Sequence, residues 1–167
     1  GRNISYSFSK KYFEQKFQKL LLNNYSYDIF DTEDLQNIKK IFEIENIKGL
    51  NVTIPYKEKI IPFLDELSDE AMAIGAINCI SIKNGKTKGF NTDAIGFEKT
   101  LLLHKKENQK TAIILGNGGA AKAVQYILKK NNIKKITFDP NDFTYASYLK
   151  LSGDLKTKFI EEPNFSK

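Results

Sequence analysis

The chain has 167 residues, of which 41% are hydrophobic and 12% aromatic, and 26 Lys and Arg stand against 20 Asp and Glu for a formal net charge of +6. That composition supports a packed core in one ordinary domain or two small ones. No apolar run approaches the ~20 residues that cross a bilayer, and no basic start, apolar middle and small-residue cleavage site is visible, so a cytoplasmic protein with no membrane partner is expected. The basic residues are scattered as pairs such as Lys39-Lys40, Lys105-Lys106 and Lys129-Lys130. A nucleic-acid surface calls for a concentrated basic stripe with interleaved aromatics, so no nucleic-acid partner is expected, and the charge favours small anions instead. One Cys79 and one His104 provide neither a disulfide within the chain nor a metal-ligand cluster. Cys79 lies inside the apolar run 76–82 and reads as a buried structural thiol rather than a nucleophile.

After a loop over residues 1–7, Tyr12, Phe13, Phe17, Leu20 and Leu21 fall at helical spacing. They predict an amphipathic helix over 9–22 with Ser9 as its N-cap. Residues 25–30 alternate polar and aromatic side chains like a strand. The acidic run Asp31-Thr32-Glu33-Asp34 then suits the positive end of a helix over 32–45. A strand is expected over 47–52, a short helix over 56–61 opened by Pro55, and a further helix capped at Ser68-Asp69-Glu70. Strands over 76–82 and 86–90 flank Lys83-Asn84-Gly85, whose Asn-Gly pair marks a tight hairpin turn. Ile95, Phe97, Leu101, Leu102 and Leu103 place a helix over 92–104.

The polar stretch 105–110 is the expected domain boundary, dividing the chain into residues 1–104 and 105–167. Beyond it a strand over 111–115, a glycine loop over 116–119, a helix over 120–130 and a strand over 134–138 make a parallel βαβ unit. A helix from about Asn141 and a strand near 158–161 would continue the alternation. The chain opens at Gly1 without a methionine and closes on Pro163-Asn164-Phe165-Ser166-Lys167. We therefore expect a piece of a longer protein.

Three groups of residues carry chemistry. In Gly116-Asn117-Gly118-Gly119-Ala120-Ala121 the first glycine permits a tight turn after the strand, the second lets backbone approach a pyrophosphate, and the small Ala121 lets helix and strand pack closely. A phosphate would sit on the helix N-terminus, where free N–H groups and the dipole favour an anion. Asp139 ends the second strand, where a carboxylate accepts hydrogen bonds from an adenosine ribose and repels a 2′-phosphate. The alternative for Asp139 is a turn residue before Pro140, and for the loop a mere connection. The run Asn51-Val52-Thr53-Ile54-Pro55-Tyr56-Lys57 sets neutral hydrogen bonders and one lysine around a proline at the end of a strand. Asp93 is the natural carboxylate partner for Lys57, and the pair can take and return a hydroxyl proton. Taken singly, Lys57 is one of many surface cations and Asp93 a helix cap.

Taken together, Gly49 to Lys57, Gly75-Ala76-Ile77-Asn78, Gly89-Phe90-Asn91-Thr92-Asp93 and Gly116 to Ala121 resemble, in order and spacing, the successive signatures of the shikimate dehydrogenase family. The opening Ser5-Tyr6-Ser7-Phe8-Ser9 resembles that family's N-terminal motif, and the resemblance covers roughly residues 1–138. It implies an α/β protein in which an N-terminal α/β substrate-binding domain precedes a Rossmann-like dinucleotide-binding domain, here incomplete at its C-terminus. The implied activity is the reversible reduction of 3-dehydroshikimate to shikimate in aromatic amino acid biosynthesis, by a monomer or homodimer. By the same resemblance Ser7 and Ser9 hold the substrate carboxylate and Asn51, Thr53, Asn78 and Asp93 the ring hydroxyls. Lys57 is then the acid/base, paired with Asp93, and Gly116, Asn117, Gly118, Gly119, Ala120, Ala121 and Asp139 face the cofactor.

Tyr6 and Lys10 depart from the family's usual histidine and proline. NADP(H) is the family's usual cofactor, but Asp139-Pro140-Asn141 replaces the segment whose arginine meets the NADP phosphate, which leaves NAD(H) open. The family's later nucleotide-domain strands, and a C-terminal helix that brings a glutamine to the ligand, have no counterpart in the sequence. Alternatives are a quinate/shikimate dehydrogenase using NAD, and a non-catalytic ligand-binding module that has kept the polyol pocket.

Overall fold

The structure, a computed structural model, describes residues 1–138. The helix expected from Asn141, the strand near 158–161, and Asp139 lie outside the described residues. Helices α1 (Ser9–Lys19), α2 (Ile38–Phe42), α3 (Asp69–Ile74), α4 (Thr92–His104) and α5 (Gly119–Lys130) alternate with strands β1 (Gly49–Asn51), β2 (Glu66–Leu67), β3 (Cys79–Lys83), β4 (Lys86–Phe90), β5 (Thr111–Leu115) and β6 (Lys134–Phe138). The first four strands form a mixed sheet in the order β1-β3-β4-β2, and β5 and β6 form a separate parallel pair.

The mixed sheet is organised by its hairpin. Asn84 and Gly85 both take positive φ, 51° and 75°, which matches the right-handed twist of the strands they join. From there Lys83 pairs with Lys86 and Cys79 with Phe90, and β1 adds antiparallel to β3 with Asn51 opposite Cys79. The short β2 lies parallel to β4. Its alignment is fixed by Asp65, whose carboxylate accepts from the Thr87 N–H at 2.7 Å and the Thr87 hydroxyl at 2.8 Å, while the Asp65 N–H donates to the same hydroxyl.

One core lies on this sheet, where Leu35, Ile38, Val52, Tyr56, Ile60, Ala71, Ile77, Ile80 and Ile82 are buried together. A second forms where α5 meets α3 and α4, from Ile74, Ala76, Ala94, Ala123 and Ile127 with Phe97 and Leu101 against them. A third, of Ile114, Leu128 and Ile133, joins α5 to the β5-β6 pair, and Ala121 packs against it as its small size anticipated. The second core makes the glycine-loop helix a direct neighbour of the elements that carry the polar cluster.

Several expected elements are shorter or absent. Helix α1 stops at Lys19 because Leu21 takes a φ of 55°, and its N-cap position is Phe8, without a side-chain cap, rather than Ser9. Residues 25–30 form no regular element and pair with no strand among the described residues, so the polar-aromatic alternation reflects ring packing: Tyr27 stacks on Phe13 at 4.8 Å and Tyr25 lies 5.6 Å from Phe17. The helix expected over 32–45 is reduced to α2 because the acidic residues at its start are engaged elsewhere. Asp31 accepts from the N–H groups of Asn3 and Ile4, and Asp34 from that of Gln36. Residues 57–60 form turns that lead into a 3₁₀ turn at Ile61–Phe63, in place of a helix over 56–61. The strands expected over 47–52 and 76–82 contract to β1 and β3. The cap at Ser68, helix α4, and the β5-α5-β6 unit follow the expectation closely.

The hydrogen bonds from the Thr87 backbone and hydroxyl hold the Asp65 carboxyl below the usual carboxylate range, with Lys86 and Lys39 assisting. A carboxylate depressed on folding stabilises above its unfolded value, and that contribution is lost as pH falls through the folded one. Asp65→Asn should therefore lower the urea midpoint at neutral pH and lose this effect in acid. An equal loss at both would mean that shape, not charge, aligns β2.

Candidate functional site

The cluster around Lys57 is assembled from three segments that meet at the ends of β1, β3 and β4. Lys57 sits in the turns after Pro55, where its carbonyl accepts from the Ile77 N–H at 2.8 Å. Asn78 stands just before β3, its N–H donating to Phe90 and its carbonyl accepting from Val52. Asp93 lies in the first turn of α4, whose N-cap is Asn91: the Asn91 Oδ1 accepts from the Ala94 N–H at 3.1 Å, and its Nδ2 donates to the Ala76 carbonyl. Asn91 is only 2% exposed, so the capping work belongs to it and the Asp93 carboxylate is left available.

Lys57 Nζ donates to Asp93 Oδ2 at 2.5 Å, and Asn78 Nδ2 donates to Asp93 Oδ1 at 2.8 Å. Both carboxylate oxygens are thus engaged by side chains from other segments. Asn78 also reaches the start of α4 through Thr92, whose N–H donates to Asn78 Oδ1 at 2.8 Å and whose hydroxyl accepts from Asn78 Nδ2 at 2.9 Å. The Lys57 side chain is 19% exposed and that of Asp93 37%, so the pair opens to solvent on one side while remaining partly screened from it. A part-buried, hydrogen-bonded lysine-carboxylate pair of this kind can hold and pass a proton.

Ser7, Ser9, Asn51 and Thr53 line an open cavity of about 1140 Å³ that Ile4, Leu35 and Ile38 also line. The Ser7 hydroxyl accepts weakly from the Ser9 N–H at 3.4 Å. Asn51 is held by Tyr27, whose hydroxyl accepts from Asn51 Nδ2 at 3.0 Å. Lys57, Asn78 and Asp93 do not line this cavity. The two groups are joined through the backbone, since Asn51 pairs with Cys79 and Val52 bonds Asn78. Sequence reasoning missed Tyr27 and Thr92, for which the only signals were an aromatic in an alternating run and a hydroxyl beside Asp93.

At the glycine loop, Gly116 takes a φ of 126°, which favours glycine, and a side chain at Gly116 or Gly118 would meet nothing within 4 Å. Among the described residues the space over the loop is open. Helix α5 begins at Gly119 with Gly118 as N-cap and no side-chain cap, and its first turn carries no acidic residue. Uncapped N–H groups beside open space form a suitable cradle for a phosphate group. Ala120 is exposed and Ala121 half-buried in the same first turn, and Asn117, in the turn itself, is exposed.

Residues 1–80 match the family model described as the shikimate dehydrogenase substrate binding domain. The shikimate dehydrogenase (NADP(+)) of Syntrophomonas wolfei is 46% identical over 115 residues, 69% of this chain and 40% of that protein. The chain belongs to the shikimate dehydrogenase family. Among solved structures of the family, that of the Aquifex aeolicus enzyme superposes with a TM-score of 0.75 at 37% identity, over 92% of this chain and 57% of the other. The Thermus thermophilus enzyme, solved in complex with NADP(H) and shikimate, gives a TM-score of 0.73 at 29% identity, over 92% and 58%. The chain spans about half the length of the curated relatives it matches. Its α/β fold is that of the family, with a substrate-binding part followed by a Rossmann-like one. Among the described residues, no helix is long and apolar enough to cross a membrane.

Cys79 is half-buried in β3, and burial pushes its thiol up. Alkylation by iodoacetamide at mildly alkaline pH should run well below the rate of free cysteine and recover in urea. A native-state rate equal to that of free cysteine would show the thiolate to be accessible.

Proposed function

We propose that this protein catalyses reversible hydride transfer between a nicotinamide cofactor and the shikimate/3-dehydroshikimate pair, with Lys57 as acid/base. The observation that carries the reading is the Lys57-Asp93-Asn78 cluster, built from three separated segments and adjoining the helix of an open glycine loop. Asp93 keeps the Lys57 ammonium in place, and Asn78 fixes the carboxylate that does so. In the oxidative direction Lys57, in its free amine form, takes the proton of the ring hydroxyl; in the reductive direction it returns that proton to the carbonyl oxygen. Asn51, Thr53, Asn78 and Asp93 orient the ring hydroxyls, and Ser7 and Ser9 receive the carboxylate.

The nicotinamide cofactor, when bound, supplies or accepts the hydride. Gly116, Asn117, Gly118, Gly119, Ala120 and Ala121 hold its pyrophosphate at the start of α5, with the domain division placed at 104/105. NADP(H) is the cofactor named for the curated relatives. Asp139 leaves room for NAD(H) in this chain, because a carboxylate beside the adenosine ribose disfavours the 2′-phosphate.

The decisive assay is reduction of NADP and NAD by the full-length protein with shikimate and with quinate. Shikimate turnover is expected to lead; faster quinate turnover would reassign the substrate, and no reduction of either cofactor would leave a ligand-binding module. Lys57→Ala should lower kcat by about 10²- to 10⁴-fold with the KM for shikimate little changed. A raised KM with normal kcat would make Lys57 a binding residue only. Asp139→Arg should move preference toward NADP, and an unchanged cofactor ratio would make Asp139 a turn residue.

A further inference from the structure

Helix α5 begins with an arrangement that its own sequence does not explain. Its first turn holds Lys122 and no acidic residue, although the positive end of a helix favours a carboxylate and disfavours a cation. The missing carboxylate comes from elsewhere in the fold. Glu58 Oε2 accepts from Lys122 Nζ at 2.5 Å across 64 positions of sequence. Glu58 is the residue after Lys57, so the ion pair joins the turn that carries Lys57 to the first turn after the glycine loop.

A second contact lies at the same junction. A Cβ at Gly119 would stand 2.9 Å from Lys57 Cβ and 3.3 Å from both Lys57 Cδ and Ala76 Cβ. Whereas Gly116 and Gly118 face open space, Gly119 is glycine because the stem of Lys57 occupies the place a side chain would fill. The first turn of α5 therefore touches the lysine stem directly and grips the following residue by charge. Lys57 is fixed at its backbone by the Ile77 N–H, at its stem by Gly119, and at its tip by Asp93.

We infer that Glu58 and Lys122 are positioning residues that, with Gly119, set the distance between Lys57 and the glycine loop. This rests on the acid/base reading of Lys57 and on cofactor binding at the loop. Both side chains of the ion pair are 39% exposed, and pairs so exposed contribute little to stability in water. Geometry is a different matter: a displacement of about 1 Å between reacting groups can lower a rate by about 10²-fold. Lys122 also lines a shallow cleft with Lys129, Lys130 and Lys135, and the Glu58 carboxylate partly neutralises its charge there.

The test uses the full-length protein and the variants Glu58→Gln, Lys122→Met, the charge-exchanged double Glu58→Lys/Lys122→Glu, and Gly119→Ala. Each single change in the pair should lower kcat by about 10-fold or more, with KM for shikimate and NADP changed by less than about 3-fold. The melting temperature should hold. The primary deuterium isotope effect on kcat, with shikimate labelled at the carbon that gives up hydride, should rise, and the exchanged pair should recover much of the lost turnover. Gly119→Ala should lower kcat measured at saturating NADP, because its methyl group displaces the Lys57 stem. Wild-type kcat and isotope effect in both single variants would overturn the inference. So would losses confined to cofactor affinity, or losses that follow melting temperature and are not recovered by exchange. A wild-type protein that turns over neither shikimate nor quinate would instead remove the functional reading on which the inference stands.

Discussion

The Asp93 carboxylate is the point on which the site depends. It receives Lys57 on one oxygen and Asn78 on the other, and those three residues arrive from the turns after Pro55, the start of β3 and the first turn of α4. A carboxylate with both oxygens engaged cannot be moved without disturbing each of these segments. Asn91 makes this arrangement possible by capping α4 and tying it to the Ala76 carbonyl, so that Asp93 is not drawn into the cap. The helix dipole favours the negative charge in that first turn, which lets a carboxylate sit beside a part-buried lysine at low cost.

The chain places its polar residues at strand ends because strand ends are where backbone hydrogen bonding stops and side chains converge. Asn51, Cys79 and Phe90 are consecutive across β1, β3 and β4, and Asn78, just before Cys79, accepts from the Val52 N–H and donates to the Phe90 carbonyl. The hydrogen-bonding groups of two distant motifs thereby share one edge of the sheet. Helix α5 closes against this edge through small residues, Gly119 against Lys57 and Ala123 among Ile74, Ala76 and Ala94. Close approach of the nucleotide-side helix to the substrate-side turn is a packing property, and small side chains at two positions are its cause.

Where local signals were strong, the sequence was legible. Asn84-Gly85 specified the hairpin, Ser68 the start of α3, and the glycine run between an apolar strand and an amphipathic helix the β5-α5-β6 unit. Where signals competed, it was not. The acidic run from Asp31 to Asp34 looks like a helix start, but in the fold Asp31 is spent on the backbone of Asn3 and Ile4, 28 and 27 positions away, so the helix begins only at Ile38. Residues 25–30 carry a strand's alternation yet pair with nothing among the described residues, since their aromatics are used against α1 instead. The same limit applied to the site: Tyr27 and Glu58 gave no sign of their partners, Asn51 and Lys122, which lie 24 and 64 positions away.

The sequence by itself determined which chemical groups are present and at what spacing: a lysine after a proline turn, carboxamides and a carboxylate at the ends of apolar runs, and a glycine loop between strand and helix. Those follow from local rules of turn, cap and periodicity, which act over a few residues. Only the tertiary structure decided that Asn91 rather than Asp93 caps α4 and that Gly119 is small for the sake of the lysine stem, and it alone brought Lys57 onto the Asp93 carboxylate that the sequence could only nominate. These are contacts between segments tens of residues apart, and their geometry is set by how sheets and helices pack, which no single stretch of sequence contains.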